Sequence, residues 1–338
     1  MVDSHDRDPV NKETGASFSM KQLPLFLLNA CLILTGYIII TATLAAADTY
    51  STLVMALLPI PDSLPSYVAQ EKGYFRDYGI TVKHLPVVSA IERDQLMQAG
   101  RIDGMLNELA VTASFNRDNV RIQIVATARS PLGTSPLFTV LAAPQNGIRT
   151  IQDLKQVPIA VSKNTVIEYI TDQLLSDAGL SENDIVTRSV PVLPERMQLL
   201  LSGQIQAATL PEPLTSSALK AGAKRIADDL SKPEISLSVL SFSVTSLTEK
   251  KATIQAYINA WMKAARDLNE NPDAYRELMH KKIRVPGNVK KEFKIPPFPI
   301  HQLPTQTQWN NVMAWMVQKT LLRHGIPYAE SVNGNFIK

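Results

Sequence analysis

Residues Glu92–Gly104, ERDQLMQAGRIDG, recur 103 residues later as Glu195–Ala207, ERMQLLLSGQIQA, and this internal repeat is the clearest indication of the fold. Six of the thirteen positions are identical, namely the Glu, Arg, Gln, Leu, Gly and Ile. Each copy has the pattern of a helix, a glycine stop and a buried strand. Whether the copies arose by duplication or by convergence on a common α/β unit, they predict two lobes of similar internal plan.

Short apolar runs alternate with helical patterns on both sides of each copy. In the first half we predict strands at Leu53–Leu58, Ile80–Val88, Ile102–Leu106 and Ile122–Ala126. In the second half we predict strands at Phe138–Ala142, Pro158–Val161, Ile185–Val190, Ile205–Leu210 and Ser236–Val244. Strands that alternate with helices at short spacing are typical of parallel α/β units. From residue 247 the pattern is helical, apart from a Pro- and Lys-rich surface loop predicted between 282 and 304.

Composition and charge narrow the class of protein. The chain has 338 residues, with 34 Lys and Arg against 31 Asp and Glu, and a formal net charge of +3. Its hydrophobic fraction of 45% and charged fraction of 19% are those of a globular protein, not a disordered one. The net charge is small and the basic residues are spread along the chain, so the sequence shows no basic cluster typical of nucleic-acid-binding proteins. A single cysteine, Cys31, excludes disulfide frameworks, cysteine-rich zinc sites and iron–sulfur clusters.

The N-terminal residues 1–47 are predicted to be a targeting segment and not part of the folded protein. Residues 22–47 carry no charge, Lys21 precedes them, and small residues stand at Ala45 and Ala47. This pattern is typical of a secretory signal peptide cleaved after Ala47, which predicts a periplasmic or extracytoplasmic protein. The run is also long enough to span a bilayer, so a retained membrane segment is the alternative. The sequence leaves open whether Met20 is the true start and whether Cys31 carries a lipid.

Four motifs follow one another in a recognisable order. They are Glu71–Phe75 (EKGYF) with Tyr78–Val82 (YGITV), Gln98–Gly104 (QAGRIDG), Ile151–Lys155 (IQDLK) with Ile159–Val161, and Ser202–Ala207 (SGQIQA) with Glu212-Pro213. Together they resemble the substrate-binding proteins of ABC importers for nitrate, sulfonates, taurine and thiamine pyrimidine precursors, over roughly residues 50–270. Two residues depart from the family pattern: Gln206 replaces an Asp, and Gln156 replaces a Gly.

The resemblance implies the type II periplasmic binding protein fold, an α/β fold of two lobes. Mixed sheets flanked by helices form each lobe, and the ligand cleft lies at a two-strand hinge. Lobe 1 would comprise 48–135 and 240–338, and lobe 2 would comprise 136–239. Phe138–Ala142 and Ser236–Val244 would be the two crossings between the lobes.

The same resemblance implies a function. The chain would be the monomeric solute-binding component of an ABC importer, closing around a small polar solute by hinge motion. Its partners would be the permease and ATPase components in the membrane. No nucleic acid, metal or cofactor is expected, because the chain lacks the Walker, G-x-S-x-G and G-x-G-x-x-G motifs and its five histidines have no metal-ligand spacing.

Candidate ligand-binding residues follow from the rule that open α/β sheets bind ligands beyond the carboxyl ends of their strands. The rule selects Asp62, Ser63, Ser89, Asn107, Glu108 and Arg129 in the first half, and Ser162, Asn164, Thr165 and Glu212 in the second. Ser89, Ser162 and Thr165 stand at helix starts, where they either meet an acceptor group or act as plain helix caps. Glu212 either faces the ligand or anchors its own loop.

The charges of these candidates indicate the polarity of the solute. Asp62, Glu108 and Glu212 favour a neutral or cationic, nitrogen-bearing solute over a small oxyanion. Arg129 is the basic candidate that would reverse this sign. Arg93 and Arg196 lie one turn into their helices and are expected at the surface or between helices.

Two other classes of protein remain as alternatives. One is a membrane-tethered sensory or partner-binding domain that keeps residues 22–47 as its anchor. The other is an enzyme of thiamine pyrimidine biosynthesis, which shares the family resemblance. Those enzymes carry a cysteine- and histidine-rich stretch, and this chain has no cysteine after Cys31. The chain is therefore not expected to be an enzyme.

Overall fold

The computed structural model describes residues 51–337. The predictions of cleavage after Ala47, of a membrane segment at 22–47 and of a lipid on Cys31 lie outside the described residues. Among the residues described, no helix is both long enough and apolar enough to span a bilayer.

Ten strands and twelve α-helices alternate along residues 51–337. The strands are β1 (Ser51–Leu57), β2 (Ile80–Pro86), β3 (Gly104–Asn107), β4 (Ile122–Arg129), β5 (Phe138–Ala142), β6 (Pro158–Val161), β7 (Val186–Ser189), β8 (Ala207–Pro211), β9 (Lys224–Asp228) and β10 (Ser238–Ser243). The helices are α1 (Leu64–Glu71), α2 (Tyr74–Asp77), α3 (Ala90–Gln98), α4 (Leu109–Phe115), α5 (Val166–Asp177), α6 (Leu193–Leu201), α7 (Leu214–Lys220), α8 (Val244–Glu249), α9 (Lys251–Glu270), α10 (Arg276–Lys282), α11 (Gln306–Gln318) and α12 (Tyr328–Ser331). Every predicted strand overlaps an observed one, which confirms the α/β pattern.

The strands form two sheets with the same internal plan. The first sheet has the order β2-β1-β3-β10-β4, and the second has the order β7-β6-β8-β5-β9. In each sheet the first three strands are parallel, and the fourth runs antiparallel to the strand before it. The sheets therefore correspond strand for strand, which confirms the two-lobed fold. The first lobe consists of the first sheet with its helices, and the second lobe consists of the second sheet with its helices.

The repeated stretch forms α3 and β3 in the first lobe and α6 and β8 in the second. Arg93 Nη1 donates to the carbonyl oxygen of Leu106 at 2.9 Å, and Arg196 Nη1 donates to that of Thr209 at 2.8 Å. Donors and acceptors are both 103 residues apart, so the two copies share a tertiary hydrogen bond as well as a pattern. Both arginines are fully buried. The expected surface or inter-helix position was wrong, because each guanidinium lies inside its lobe and donates to a strand carbonyl there.

The chain passes between the lobes twice, at residues 130–137 and 229–237. The predicted crossings were misplaced. Strand β5 pairs along its length with β8 and β9, and β10 pairs with β3 and β4, so each belongs wholly to one sheet. Asp229 joins the two true crossings, because its carboxylate accepts the N–H groups of Leu137 at 3.0 Å and Phe138 at 2.9 Å. Ser238 and Val239, which precede the predicted boundary at 240, already pair with β4.

Helix α11 packs against both lobes. Its residues Trp309 and Met316 share one apolar cluster with Leu109 of α4 and Ile170 of α5. Trp315 Nε1 also donates to the buried carboxylate of Asp172 in the second lobe at 2.9 Å. The prediction counted all of 240–338 in lobe 1, whereas α11 makes direct contacts with the second lobe. The remaining lobe boundaries stay a prediction.

Candidate ligand-binding site

The candidate site is formed by the segments that follow the carboxyl ends of the parallel strands in both sheets. After β1 the chain enters a short 3-10 turn at Pro61–Ser63, and after β3 it enters α4 directly at Glu108. In the second lobe the corresponding segments are residues 162–165 after β6 and Glu212 after β8. These positions are the strand exits at which open α/β sheets bind ligands.

Asp62 and Arg129 form a buried ion pair. Arg129 Nη1 lies 2.9 Å from Asp62 Oδ1, and Arg129 Nη2 donates to the carbonyl oxygen of Pro136 at 3.0 Å. The guanidinium therefore links the turn after β1 to the first crossing. Because its charge is matched by Asp62, Arg129 is not a free cation for an anionic ligand.

Two other candidates of the first lobe are committed to the protein's own structure. Ser63 is fully buried and donates to the carbonyl oxygen of Leu58 at 2.8 Å. Asn107 is also fully buried, and its amide pairs with Thr112 at 2.9 Å and Ser241 at 2.7 Å. Both side chains shape the strand exits, and their hydrogen bonds leave them little capacity to contact a solute.

Glu108 is the acidic candidate of the first lobe that keeps a partly exposed side chain. It precedes α4, and its Oε2 lies 3.5 Å from Nη2 of Arg93, with 22% of the side chain exposed. Burial raises the pKa of Glu108, the charge of Arg93 opposes the rise, and the charges of Asp94 and Asp62 add to it. The carboxylate is therefore held by one long ionic contact and remains available to a donor group.

The serine and threonine candidates mostly cap helices. Ser89 Oγ accepts the N–H of Glu92 at 3.2 Å at the start of α3. Thr165 Oγ1 accepts the N–H of Ile167 at 3.2 Å at the start of α5. The plain capping role, which the sequence left open, accounts for both residues.

Ser162 and Asn164 lie in the turn before α5, which already holds an acidic group. Asn164 has a positive φ of 62°, and its N–H donates to Oε2 of Glu168 at 2.6 Å. The buried Glu168 carboxylate also accepts the hydroxyl of Thr187 at 3.0 Å. Ser162 Oγ accepts Nη2 of Arg196 at 2.5 Å. Glu168 therefore already occupies the N-terminal end of α5 and takes up an N–H group that a second anion would need.

Glu212 is the acidic candidate of the second lobe. Its Oε2 accepts the hydroxyl of Ser216 at 2.7 Å and the N–H of Ser216 at 3.3 Å. Burial raises the pKa of Glu212, while the hydrogen bonds from Ser216 and the more distant charges of Arg129 and Arg225 oppose the rise. Within residues 51–337, no lysine or arginine nitrogen lies within 4.0 Å of this carboxylate. Glu212 both anchors its loop and offers an unpaired oxygen.

A small apolar cavity of about 10 Å³, room for no more than one water molecule, lies among core side chains. Leu109, Val166, Tyr169, Leu237 and Val312 line it, so it is a packing void and not a ligand pocket. No cluster of three or more His, Cys, Asp or Glu residues able to hold a metal occurs in the described part of the chain.

Three further residues shape the site and were not among the candidates chosen from the sequence: Arg93, Arg196 and Glu168. The two arginines hold the exits of β3 and β8, and Glu168 fills the end of α5. The signal for the arginines was present, since an arginine stands at the same place in both copies of the repeat. No sequence signal marked Glu168, because its role depends on the left-handed turn at Asn164.

Two corresponding α/β lobes joined by two crossings define the periplasmic binding protein fold. A family model described as NMT1/THI5 like matches residues 60–275, so the chain belongs to that family. This membership confirms the resemblance seen in the motifs. No curated protein sequence matches the chain.

Solved structures share the fold at low sequence identity. The periplasmic aliphatic sulphonate binding protein SsuA of Escherichia coli is 16% identical, with a TM-score of 0.71 over 84% of this chain and 92% of that one. The alkanesulfonate-binding protein SsuA of Xanthomonas axonopodis pv. citri, bound to MOPS, is 17% identical, with a TM-score of 0.69 over 84% and 98%. The desulfurization enzyme DSZB is 16% identical, with a TM-score of 0.64 over 85% and 98%. Binding proteins and an enzyme thus share this fold, so function must be argued from the site.

Proposed function

We propose that the chain is the extracytoplasmic solute-binding component of an ABC importer. One observation carries the proposal: Glu108 and Glu212 stand at corresponding strand exits of two lobes that two crossings connect. A solute bound between them would contact both lobes, and its binding energy would favour a closed arrangement. The permease and ATPase components of the importer would be the partners. Family membership and the substrate-binding proteins among the structural neighbours support this assignment.

The solute class follows from the charges at the site. Glu108 and Glu212 offer carboxylate oxygens, whereas the guanidinium of Arg129 is matched by Asp62. The names of the neighbouring structures specify a sulfonate for those proteins. In this chain a sulfonate would be repelled by these carboxylates, and closure of the lobes would strengthen the repulsion by excluding water. We therefore assign this chain a neutral or cationic solute with N–H donors, such as an amino-heterocycle.

Replacing Glu212 with glutamine is expected to weaken binding of such a solute by about 1.5–3 kcal/mol, the range for a hydrogen bond to a charged group. The substitution keeps the shape and an acceptor for Ser216 but removes the negative charge. The solute retained by the purified protein would be identified by mass spectrometry, and its affinity for both forms measured by calorimetry. Glu249→Gln, an exposed acid at the end of α8, is the matched control and should bind normally.

The same measurements test the function itself. A panel of small solutes in a thermal-shift assay should include amines or amino-heterocycles that raise the unfolding temperature. If no small solute binds, the importer assignment fails. If an alkanesulfonate binds tightly and Glu212→Gln leaves that affinity unchanged, the assigned solute class fails while the binding function stands.

A membrane-tethered sensory domain would have the same cleft and would differ at its N-terminus. N-terminal sequencing of the exported protein distinguishes the two, because the importer component is expected to begin near Asp48 when residues 1–47 are cleaved. An enzyme with this fold would convert a bound solute, so mass spectrometry after incubation would show a product.

A further inference from the structure

The segment 283–304, here called the strap, connects α10 to α11 without forming a helix or strand. The first lobe holds it firmly. The side chains of Phe293 and Phe298 are buried in the core of that lobe. The amide side chain of Asn269 pairs with both the N–H and the carbonyl of Phe298, each at 2.8 Å. The predicted surface loop is therefore an ordered part of the first lobe.

The strap begins beside the candidate site. The N–H of Arg284 donates to the carbonyl oxygen of Pro59 at 3.0 Å. Pro59 lies in the turn after β1, three residues before Asp62. The strap thus leaves the first lobe at one of the strand exits that form the site.

The strap then reaches the second lobe at α7, the helix that follows Glu212. Asn288 makes a two-point contact with Ser217: its Oδ1 accepts the serine hydroxyl at 2.8 Å, and its Nδ2 donates to the serine carbonyl at 3.0 Å. Glu292 forms an ion pair with Lys220 at the end of the same helix. These contacts join the lobes independently of the two crossings.

The strap is anchored in the first lobe on both sides of its contacts with α7. The backbone bond of Arg284 precedes these contacts, and the buried side chains of Phe293 and Phe298 follow them. The contacts with α7 are polar and only partly buried. Glu292 is 67% exposed and Lys220 is 42% exposed at the side chain. Water and salt compete with such contacts, so they break and re-form readily. The contacts with α7 are therefore the ones that would release.

We propose that the strap is an interlobe latch, which holds the cleft closed through Asn288 and Glu292 before a solute arrives. Opening at the crossings would separate α7 from the first lobe and would break both contacts. The latch would therefore raise the closed fraction of the solute-free protein and increase its apparent affinity. The inference rests on the proposed function, because it concerns closure of the same cleft.

The test measures the distance between the lobes without any ligand. The full chain would first carry Cys31→Ser, which removes its one natural cysteine. Spin labels would then be attached at Arg101→Cys and Gln204→Cys. These exposed positions correspond to each other in the two copies of the repeat, 103 residues apart. Pulsed electron–electron double resonance gives the distribution of distances between the two labels, and so between the lobes. The double variant Asn288→Ala with Glu292→Gln should shift this distribution to longer distances, raising the ratio of open to closed forms about threefold, as expected for the loss of exposed polar contacts.

The matched control is Asn119→Ala with Glu249→Gln, which changes the same residue types at exposed positions of the first lobe. It should leave the distribution unchanged, and all variants should keep the unlabelled protein's circular dichroism spectrum.

An unchanged distribution in the Asn288→Ala, Glu292→Gln variant would overturn the latch, and so would an equal shift in the control. These outcomes do not depend on solute binding. A latch that behaves as proposed in a protein that binds no solute would leave the inference standing and remove the importer assignment.

Discussion

Replacing Arg196 with alanine is expected to lower the free energy of unfolding by about 3–5 kcal/mol, because it leaves buried acceptors without donors and creates a cavity. The guanidinium joins the carboxyl ends of three strands. Nε donates to the carbonyl of Val190 at 2.7 Å, Nη1 to that of Thr209 at 2.8 Å, and Nη2 to the hydroxyl of Ser162 at 2.5 Å. Urea unfolding followed by circular dichroism measures the loss.

The control for this prediction is Arg188→Ala, an exposed arginine on β7 in the same lobe. Its effect should stay within about 0.5 kcal/mol, as for most surface substitutions. Arg196→Lys should recover only part of the stability, because one ammonium group cannot reach three acceptors in the directions that a guanidinium does. A loss below about 1 kcal/mol for Arg196→Ala would contradict the structural role given to this residue.

Much of the fold could be predicted because the local signals agree with the tertiary structure. Strands β5 and β6 were predicted at their observed ends, since each is an apolar run bounded by turn residues. Strand β9, Lys224–Asp228, was missed because it is an edge strand of mixed composition whose residues are only partly buried. Helices α4 and α7 were missed because seven residues are too few to establish a helical period.

The crossings illustrate a limit of pattern reading. Phe138–Ala142 and Ser236–Val244 are apolar, and an apolar run has the same appearance whether it passes between lobes or lies inside one sheet. The true crossing at 229–237 is instead marked by Asp229, whose carboxylate holds the backbone of Leu137 and Phe138. Only tertiary pairing reveals this role, because Asp229 and its partners are far apart in sequence.

The candidate site, like the fold, could be predicted only in part from the sequence. The rule of strand exits selected Asp62, Glu108 and Glu212, whose positions depend on topology. It could not show that Arg129 pairs with Asp62, or that Ser63 and Asn107 turn into the protein, because these facts depend on contacts between distant segments. The charge that a solute would meet is therefore set by pairing, and the proposed solute class depends on Glu212, which has no cationic partner within residues 51–337.

Asp229 is expected to make the folded state more stable at mildly acidic pH than at neutral pH. Burial raises the pKa of this carboxyl to about 6 from its ordinary value of 3.8, although hydrogen bonds from Leu137 and Phe138 and the charge of Arg129 oppose the rise. Between pH 4 and pH 6 the folded chain therefore holds a proton that the unfolded chain has lost. The free energy of unfolding should fall by about 3 kcal/mol as the pH rises through this window, and Asp229 should add no further change above it.

Asp229→Asn isolates this contribution, because the amide keeps an oxygen for the N–H groups of Leu137 and Phe138 but binds no proton in this range. Glu108 and Glu212 also have raised pKa values and add a dependence of the same sign, so the comparison must be between the wild-type chain and the variant. Urea unfolding at pH 4, 5, 6 and 7 should give a flatter dependence for Asp229→Asn than for the wild type. Parallel curves for the two proteins would show that Asp229 titrates at its ordinary pKa, and that the junction of the two crossings carries a charge throughout this range.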